Sequence, residues 1–330
     1  MRIQITEILV KVFPALLMGV IGGALQPALA QDSYSSAVKH FEYDAHAPLD
    51  IREVSVQDRT GVQIHDLTYA SPRGGVVPAY LVAPSGKGRF AAILWGHWMM
   101  PNSPTAKRIE FLEEAVALAP AGVVSLLIDA PGVRPGFQPN PDPLSSQYAD
   151  VTAQQVIDLR RGLDLLLARD DVDPQRLGYV GHSFDASCGA MLDAVDKRPT
   201  AFVFMGNPQS SREFLLTSDA PELVSFRKSV PAARLLEYLD AYDWADPATY
   251  AAHLGPAPAL FQYATHDEYV SVAAAKHYFE LSSPPKEMKF YDANHALNAE
   301  ARRDRYEFLK KYLNLPSAPP PELEKVPLTK

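Results

Sequence analysis

The sequence predicts a doubly wound α/β domain built on a mostly parallel sheet. Two observations carry that expectation. From Phe90 onward, solid apolar runs alternate with segments of helical period, the pattern of strands covered on both faces and crossed over by helices. Within Val151 to Leu167, the residues Val156, Leu159, Leu163 and Leu166 recur at three- and four-residue spacings, giving one apolar stripe to lay on a sheet. With 330 residues, 47% of them hydrophobic, the chain is long enough to bury such a core without disulfides, and its one cysteine, Cys188, allows no intramolecular one.

Taken in order, the chain opens with a segment to set aside. Arg2 and Lys11 precede an uncharged run over 12–30 that ends in Ala28-Leu29-Ala30, the pattern of a secretory signal cleaved before Gln31. An uncleaved anchor is the rival reading, since the run approaches the length of a spanning helix. Pro14, Pro27 and the Gly22-Gly23 pair favour cleavage, so the expected mature chain is exported and holds no stable membrane span. Residues 31–49 and the proline-rich tail 316–330 lack any apolar period, so both ends are expected outside the core of a domain spanning 31–315.

Short strands are expected at Ile51 to Val56, Val62 to Tyr69 and Val77 to Ala83, separated by Gly61, Gly74-Gly75 and Pro84, as an antiparallel edge. The buried strands follow at Ala91 to Trp95, Val123 to Ile128, Leu177 to Val180, Phe202 to Met205, Ala259 to Tyr263 and Lys289 to Tyr291. Helices fall between them at Lys107 to Leu118, Val151 to Leu167, Phe184 to Val195, Ala273 to Leu281 and Glu300 to Leu313. Asn207 to Pro256 is too long for one crossover and is rich in aromatics (Phe214, Phe226, Tyr238, Tyr242, Trp244, Tyr250), so it reads as a helical cap over the strand ends.

The net charge of −8 and the absence of any Lys/Arg run exclude a nucleic-acid partner. No glycine-rich phosphate loop and no metal-ligand spacing of His, Glu or Cys is present, so neither a cofactor nor a metal is expected.

The chemistry concentrates at Gly181-His182-Ser183-Phe184-Asp185, where a strand turns sharply into a helix with a serine at the apex. A serine hydroxyl needs a base to take its proton, and the base needs a carboxylate to fix its tautomer. Asp267 follows the strand Ala259 to Tyr263, and His295 follows the next strand just before the last helix. Serine, acid, histidine is the chain order expected when each sits at the C-terminal end of its own strand. The N–H of Phe184, at the start of a helix, can face a developing oxyanion. Glu268 and Asp292 are rival acids; His182 is expected to brace the turn, His266 to be loop structure and Cys188 a packed thiol.

On these residues, above all Asp171-Val-Asp-Pro-Gln-Arg-Leu-Gly-Tyr-Val-Gly-His-Ser183 and His266-Asp267-Glu268-Tyr269-Val270, the stretch from about Val77 to Leu313 resembles the α/β-hydrolase superfamily. It looks closest to dienelactone-hydrolase-like and acetyl-xylan-esterase-like members and to prolyl-oligopeptidase catalytic domains. The resemblance implies the α/β-hydrolase fold, favours Asp267 as the acid, and implies a second oxyanion donor in Trp95-Gly96-His97-Trp98, the N–H of His97 or Trp98. Two departures stand out. Asp185 occupies the elbow's usual second glycine, where it is expected either to substitute structurally or to tune the site, and a serine stands where dienelactone hydrolases proper use cysteine. The expected function is hydrolysis of small-molecule or polymer-linked carboxylic esters through an acyl-enzyme. A prolyl-oligopeptidase-type serine peptidase and a catalytically silent binding protein on the same fold are the alternatives.

Overall fold

The computed structural model describes residues 34–59, 61–100 and 103–329; the expected signal segment, 1–30, lies outside them. Nine strands of the described residues form one sheet: β1 Arg52–Asp58, β2 Val62–Ala70, β3 Val76–Pro84, β4 Phe90–Gly96, β5 Val123–Ile128, β6 Val172–His182, β7 Ala201–Met205, β8 Ala259–Ala264 and β9 Lys286–Tyr291. Their order is β1-β2-β3-β5-β4-β6-β7-β8-β9. The pairs among β1, β2, β3 and β5 at that edge are antiparallel, and every pair from β5 through β4 to β9 is parallel. β4 lies between β5 and β6, so the chain leaves it towards one edge and later returns to continue towards the other. A sheet of this kind opens a crevice at the C-terminal ends of the strands where that reversal happens.

The solid apolar runs are explained by two cores, one on each face. Along β4, Ala92 and Leu94 enter one core while Ala91, Ile93 and Trp95 enter the other, and β7 divides the same way into Phe202 and Phe204 against Ala201, Val203 and Met205. Helices α1 Leu112–Leu118 and α8 Ala299–Leu313 cover the Ile93 face, whereas α2 Gln147–Leu167, α3 Phe184–Val195 and α7 Val272–Leu281 cover the other. The stripe Val156, Leu159, Leu163 and Leu166 of α2 is fully buried there.

Between β7 and β8 run three further helices, α4 Ser211–Thr217, α5 Pro221–Ser229 and α6 Ala232–Ala241. They share a small core of Leu235 and Leu239 with Leu144, against which Leu215, Phe226 and Tyr238 pack. The second part of the expected cap behaves differently: Tyr250, Ala251 and Leu254 belong to the main core on the α3 side, and Trp244 stacks on His40 at 3.8 Å. The covering element is therefore shorter than Asn207 to Pro256, because the later aromatics pack beside the sheet.

Both ends also depart from expectation. Ala37 and Phe41 are core residues, and Leu323, in a short 3-10 helix Pro321–Lys325, is buried against the α1/α8 face. The guanidinium of Arg302 donates to the carbonyls of Val326 (2.7 Å) and Pro327 (2.9 Å). These half-buried side-chain bonds satisfy a backbone that has no regular ladder of its own. Among the described residues no helix is long and apolar enough to cross a membrane.

Candidate active site

The site is built at the crevice where β4, β6, β8 and β9 end. Gly181 is the penultimate residue of β6, and a Cβ there would stand 2.3 Å from the main-chain oxygen of Asp185, so only glycine lets the following helix fold back so closely. His182 ends the strand, and Ser183 then adopts φ 54°, ψ −110°, a conformation rare for any residue but glycine. The turn is held by the N–H of Ser183 donating to the carbonyl of Met205 at 2.7 Å. It aims the hydroxyl out of the sheet into the crevice.

There the Nε2 of His295 is 2.8 Å from the Oγ of Ser183, and its Nδ1 is 2.8 Å from the Oδ2 of Asp267. The imidazole and carboxylate side chains are 4% and 1% exposed, so their interaction is little screened by water. The other oxygen of Asp267 accepts the N–H groups of Tyr269 (2.8 Å) and Val270 (2.9 Å), which fixes the carboxylate. Gly206, with φ +64°, lets β7 end close beneath the imidazole, since a Cβ there would come 3.0 Å from its Cε1. Of the rival acids, Asp292 pairs with His266 on the surface at 2.9 Å, and Glu268 accepts the backbone N–H of His295 at 3.3 Å. Only Asp267 reaches the ring.

The other expected residues separate. Phe184 begins α3, and its N–H has no acceptor among the described residues, which leaves it open towards the crevice. Of the two candidates for a second donor, the N–H of Trp98 is engaged elsewhere, donating to Glu110 at 2.7 Å, and that of His97 lies on the side of the Asp185 carboxyl, outside the cavity lining. The open main-chain donors on that loop are Met99 and Met100, which line the cavity and have no acceptor among the described residues. The reason is the Glu110 carboxylate: it lies under the loop and takes the Trp98 N–H, a partner 12 residues away that the sequence pattern does not signal.

His97 is equally committed. Its Nε2 accepts from the N–H of Ala130 at 2.9 Å, its Nδ1 donates to the carbonyl of Trp98 at 2.6 Å, and burial pushes its pKa down to about 4. Asp185 does not line the cavity. It is fully buried behind β4, where the Nε2 of Gln155 donates to its Oδ1 at 2.8 Å. Cys188 is a buried thiol of the core.

A cavity of about 290 Å³ opens over the Ser183 hydroxyl. Met99, Met100, Tyr148, Phe184, Phe214 and Val270 give it apolar walls, and Asn207 and Gln209 add amides near β7. Phe214 comes from α4, so the helices between β7 and β8 supply one wall. No group of His, Cys, Asp and Glu among the described residues is arranged to hold a metal ion.

Neither a protein-family model nor a curated protein matches the sequence. The fold does have solved counterparts. An acetyl xylan esterase from Paenibacillus sp. R4 superposes with a TM-score of 0.68 at 18% identity, over 90% of this chain and 97% of that one. The acetyl xylan esterase 1 of Thermoanaerobacterium sp. JW/SL YS485 gives 0.69 at 15% identity, over 86% and 93%. An α/β hydrolase from Penicillium sp. sh18 gives 0.55 at 17% identity, over 76% and 98%.

Proposed function

With the α/β-hydrolase fold as premise, we propose that this protein is a carboxylic ester hydrolase in which Ser183, His295 and Asp267 act as a catalytic triad. The observation that carries the reading is the continuous chain from hydroxyl to imidazole to carboxylate, with both links at 2.8 Å, opening on an apolar cavity. Ser183 Oγ attacks the ester carbonyl while His295 Nε2 takes its proton, and Asp267 holds the imidazolium that results. The tetrahedral oxygen is held by the N–H of Phe184 and by one from Met99 or Met100. Collapse expels the alcohol, which recovers the proton from His295, and leaves Ser183 acylated. Water, deprotonated by the same imidazole, then releases the acid and restores the hydroxyl.

The cavity volume suits a short acyl group, and the named acetyl xylan esterases among the similar structures support an acetyl or comparably small acyl group on a polyhydroxylated alcohol. Export rests on the residues over 1–30 and is tested by N-terminal sequencing of the protein recovered outside the cytoplasm, which should begin at Gln31. The activity is tested by hydrolysis of p-nitrophenyl esters from acetate to octanoate. Turnover should be highest at the short end, and a folded protein inert on the whole series would overturn the proposal.

A further inference from the structure

Beneath the triad lies a second histidine–carboxylate pair that the reaction does not consume. His182 Nδ1 is 2.5 Å from Glu110 Oε1, with both side chains fully buried, and His182 Nε2 is 3.0 Å from the main-chain oxygen of His295. The other carboxyl oxygen of Glu110 accepts the Trp98 N–H at 2.7 Å. The His182 ring is stacked on Trp98 at 5.1 Å and meets Phe111 edge-on at 6.4 Å, and Trp98 in turn stacks on His295 at 6.4 Å.

Proton counting constrains this unit. A carbonyl oxygen only accepts, so His182 Nε2 must carry a hydrogen. The contact between Nδ1 and Oε1 then needs one more proton, held either by an imidazolium facing a carboxylate or by a neutral imidazole facing a carboxylic acid. In both forms the pair is neutral overall, which is the condition under which two such groups tolerate complete burial. Through it, the loop after β4, the end of β6 and the main chain of the β9 loop are joined by three hydrogen bonds.

We propose that Glu110 and His182 are a positioning pair, which holds the main chain at His295 against β6 and fixes the loop bearing the second oxyanion donor. The inference rests on the esterase reading for its kinetic consequence. In that reading His295 must meet Ser183 with little angular error, and a misplacement of about 1 Å costs on the order of 10²-fold in rate.

Glu110→Gln separates the possible roles. The glutamine oxygen can accept the Trp98 N–H while its NH2 donates to His182 Nδ1, so all three bonds survive without charge. Glu110→Ala removes two of them, and His182→Phe keeps the ring stacking while removing both bonds of the imidazole.

Steady-state kinetics on a p-nitrophenyl ester and the low-field NMR resonance of the His295 Nδ1 proton are measured for the four proteins, with circular dichroism as the check on folding. Glu110→Ala and His182→Phe should lower kcat on the order of 10²-fold with KM within about threefold, and broaden that resonance. Glu110→Gln should stay within about fivefold of the unaltered protein and keep the resonance sharp. A merely structural pair would change thermal stability and leave the kcat of folded protein alone. Unchanged kcat in folded His182→Phe, or equal losses in Glu110→Gln and Glu110→Ala, overturns the proposal. If one variant does not fold, the comparison of the remaining ones decides. If the unaltered protein hydrolyses no ester, the esterase reading fails by itself, and the resonance still decides the positioning role: equally sharp in all four proteins, it overturns it.

Discussion

Replacing Asp185 by asparagine should make the protein more stable in alkali and leave it nearly unchanged in acid. Asp185 is fully buried, and burial raises its pKa to about 8, far above the roughly 3.9 of an unfolded chain. Two observations agree with a neutral acid here: Asp185 Oδ2 and Gln155 Oε1 are both buried without a partner, although the other halves of the two groups are bonded at 2.8 Å. One proton on Oδ2 gives the pair a donor to set against that acceptor.

The folded state therefore binds a proton that the unfolded state has released. Stability is full below about pH 4 and falls as pH rises towards 8, by at most about 1.4 kcal/mol per unit. Over the window this amounts to a few kcal/mol. Asp185→Asn preserves size and hydrogen-bonding reach but cannot ionise, and it avoids disturbing Gly96, where a Cβ would stand 2.5 Å from the Asp185 Cβ. Urea unfolding at pH 4.5, 6, 8 and 9 should show the two proteins alike at the acid end, the variant gaining a few kcal/mol by pH 8, and the gain levelling off above it. A stability difference independent of pH, or a variant weaker at pH 8, would refute the buried neutral acid.

Further expectations follow from single contacts. Gly181→Ala puts a Cβ 2.3 Å from the Asp185 carbonyl oxygen and 2.7 Å from the Tyr179 hydroxyl, so thermal unfolding should register a loss on the order of several kcal/mol. Glu114→Ala strips the bidentate partner from the buried Arg305 guanidinium, bonded at 2.7 and 3.0 Å, and should cost about 3–5 kcal/mol in urea titration. Phe214→Ala removes an aromatic wall from the cavity over Ser183, and the preferred p-nitrophenyl ester should shift by several carbons towards longer chains. An unshifted preference would place the acyl group elsewhere.

Legibility in the sequence followed how local each signal is. The buried parallel strands announce themselves because each is apolar on both faces, and α3 begins at Phe184 as its glycine–serine turn predicts. Asp267 and His295 stand out in the sequence because each follows the end of its own strand within a short loop. Glu110 does not: its partner in the fold, His182, is 72 residues away, and nothing in its own segment marks a carboxylate destined for burial. The helix expected from Lys107 begins only at Leu112, and side-chain anchors take the place of helical bonds before it, the Arg108 N–H donating to Asp129 at 2.7 Å. Leu323 escaped notice because one leucine among prolines has no period, although the sheet face it covers supplies the burial. The departure at Trp98 has the same root, since whether its N–H is open depends on the Glu110 acceptor from a distant turn.

Activation of Ser183 as a nucleophile is read out by labelling with a fluorophosphonate probe, with the modified peptide identified by mass spectrometry. The unaltered protein should take up one probe per chain at Ser183. Ser183→Ala should take up none, and His295→Ala should react on the order of 10³-fold more slowly or less. Probe on another residue, or equal labelling of Ser183 with and without His295, would contradict the account.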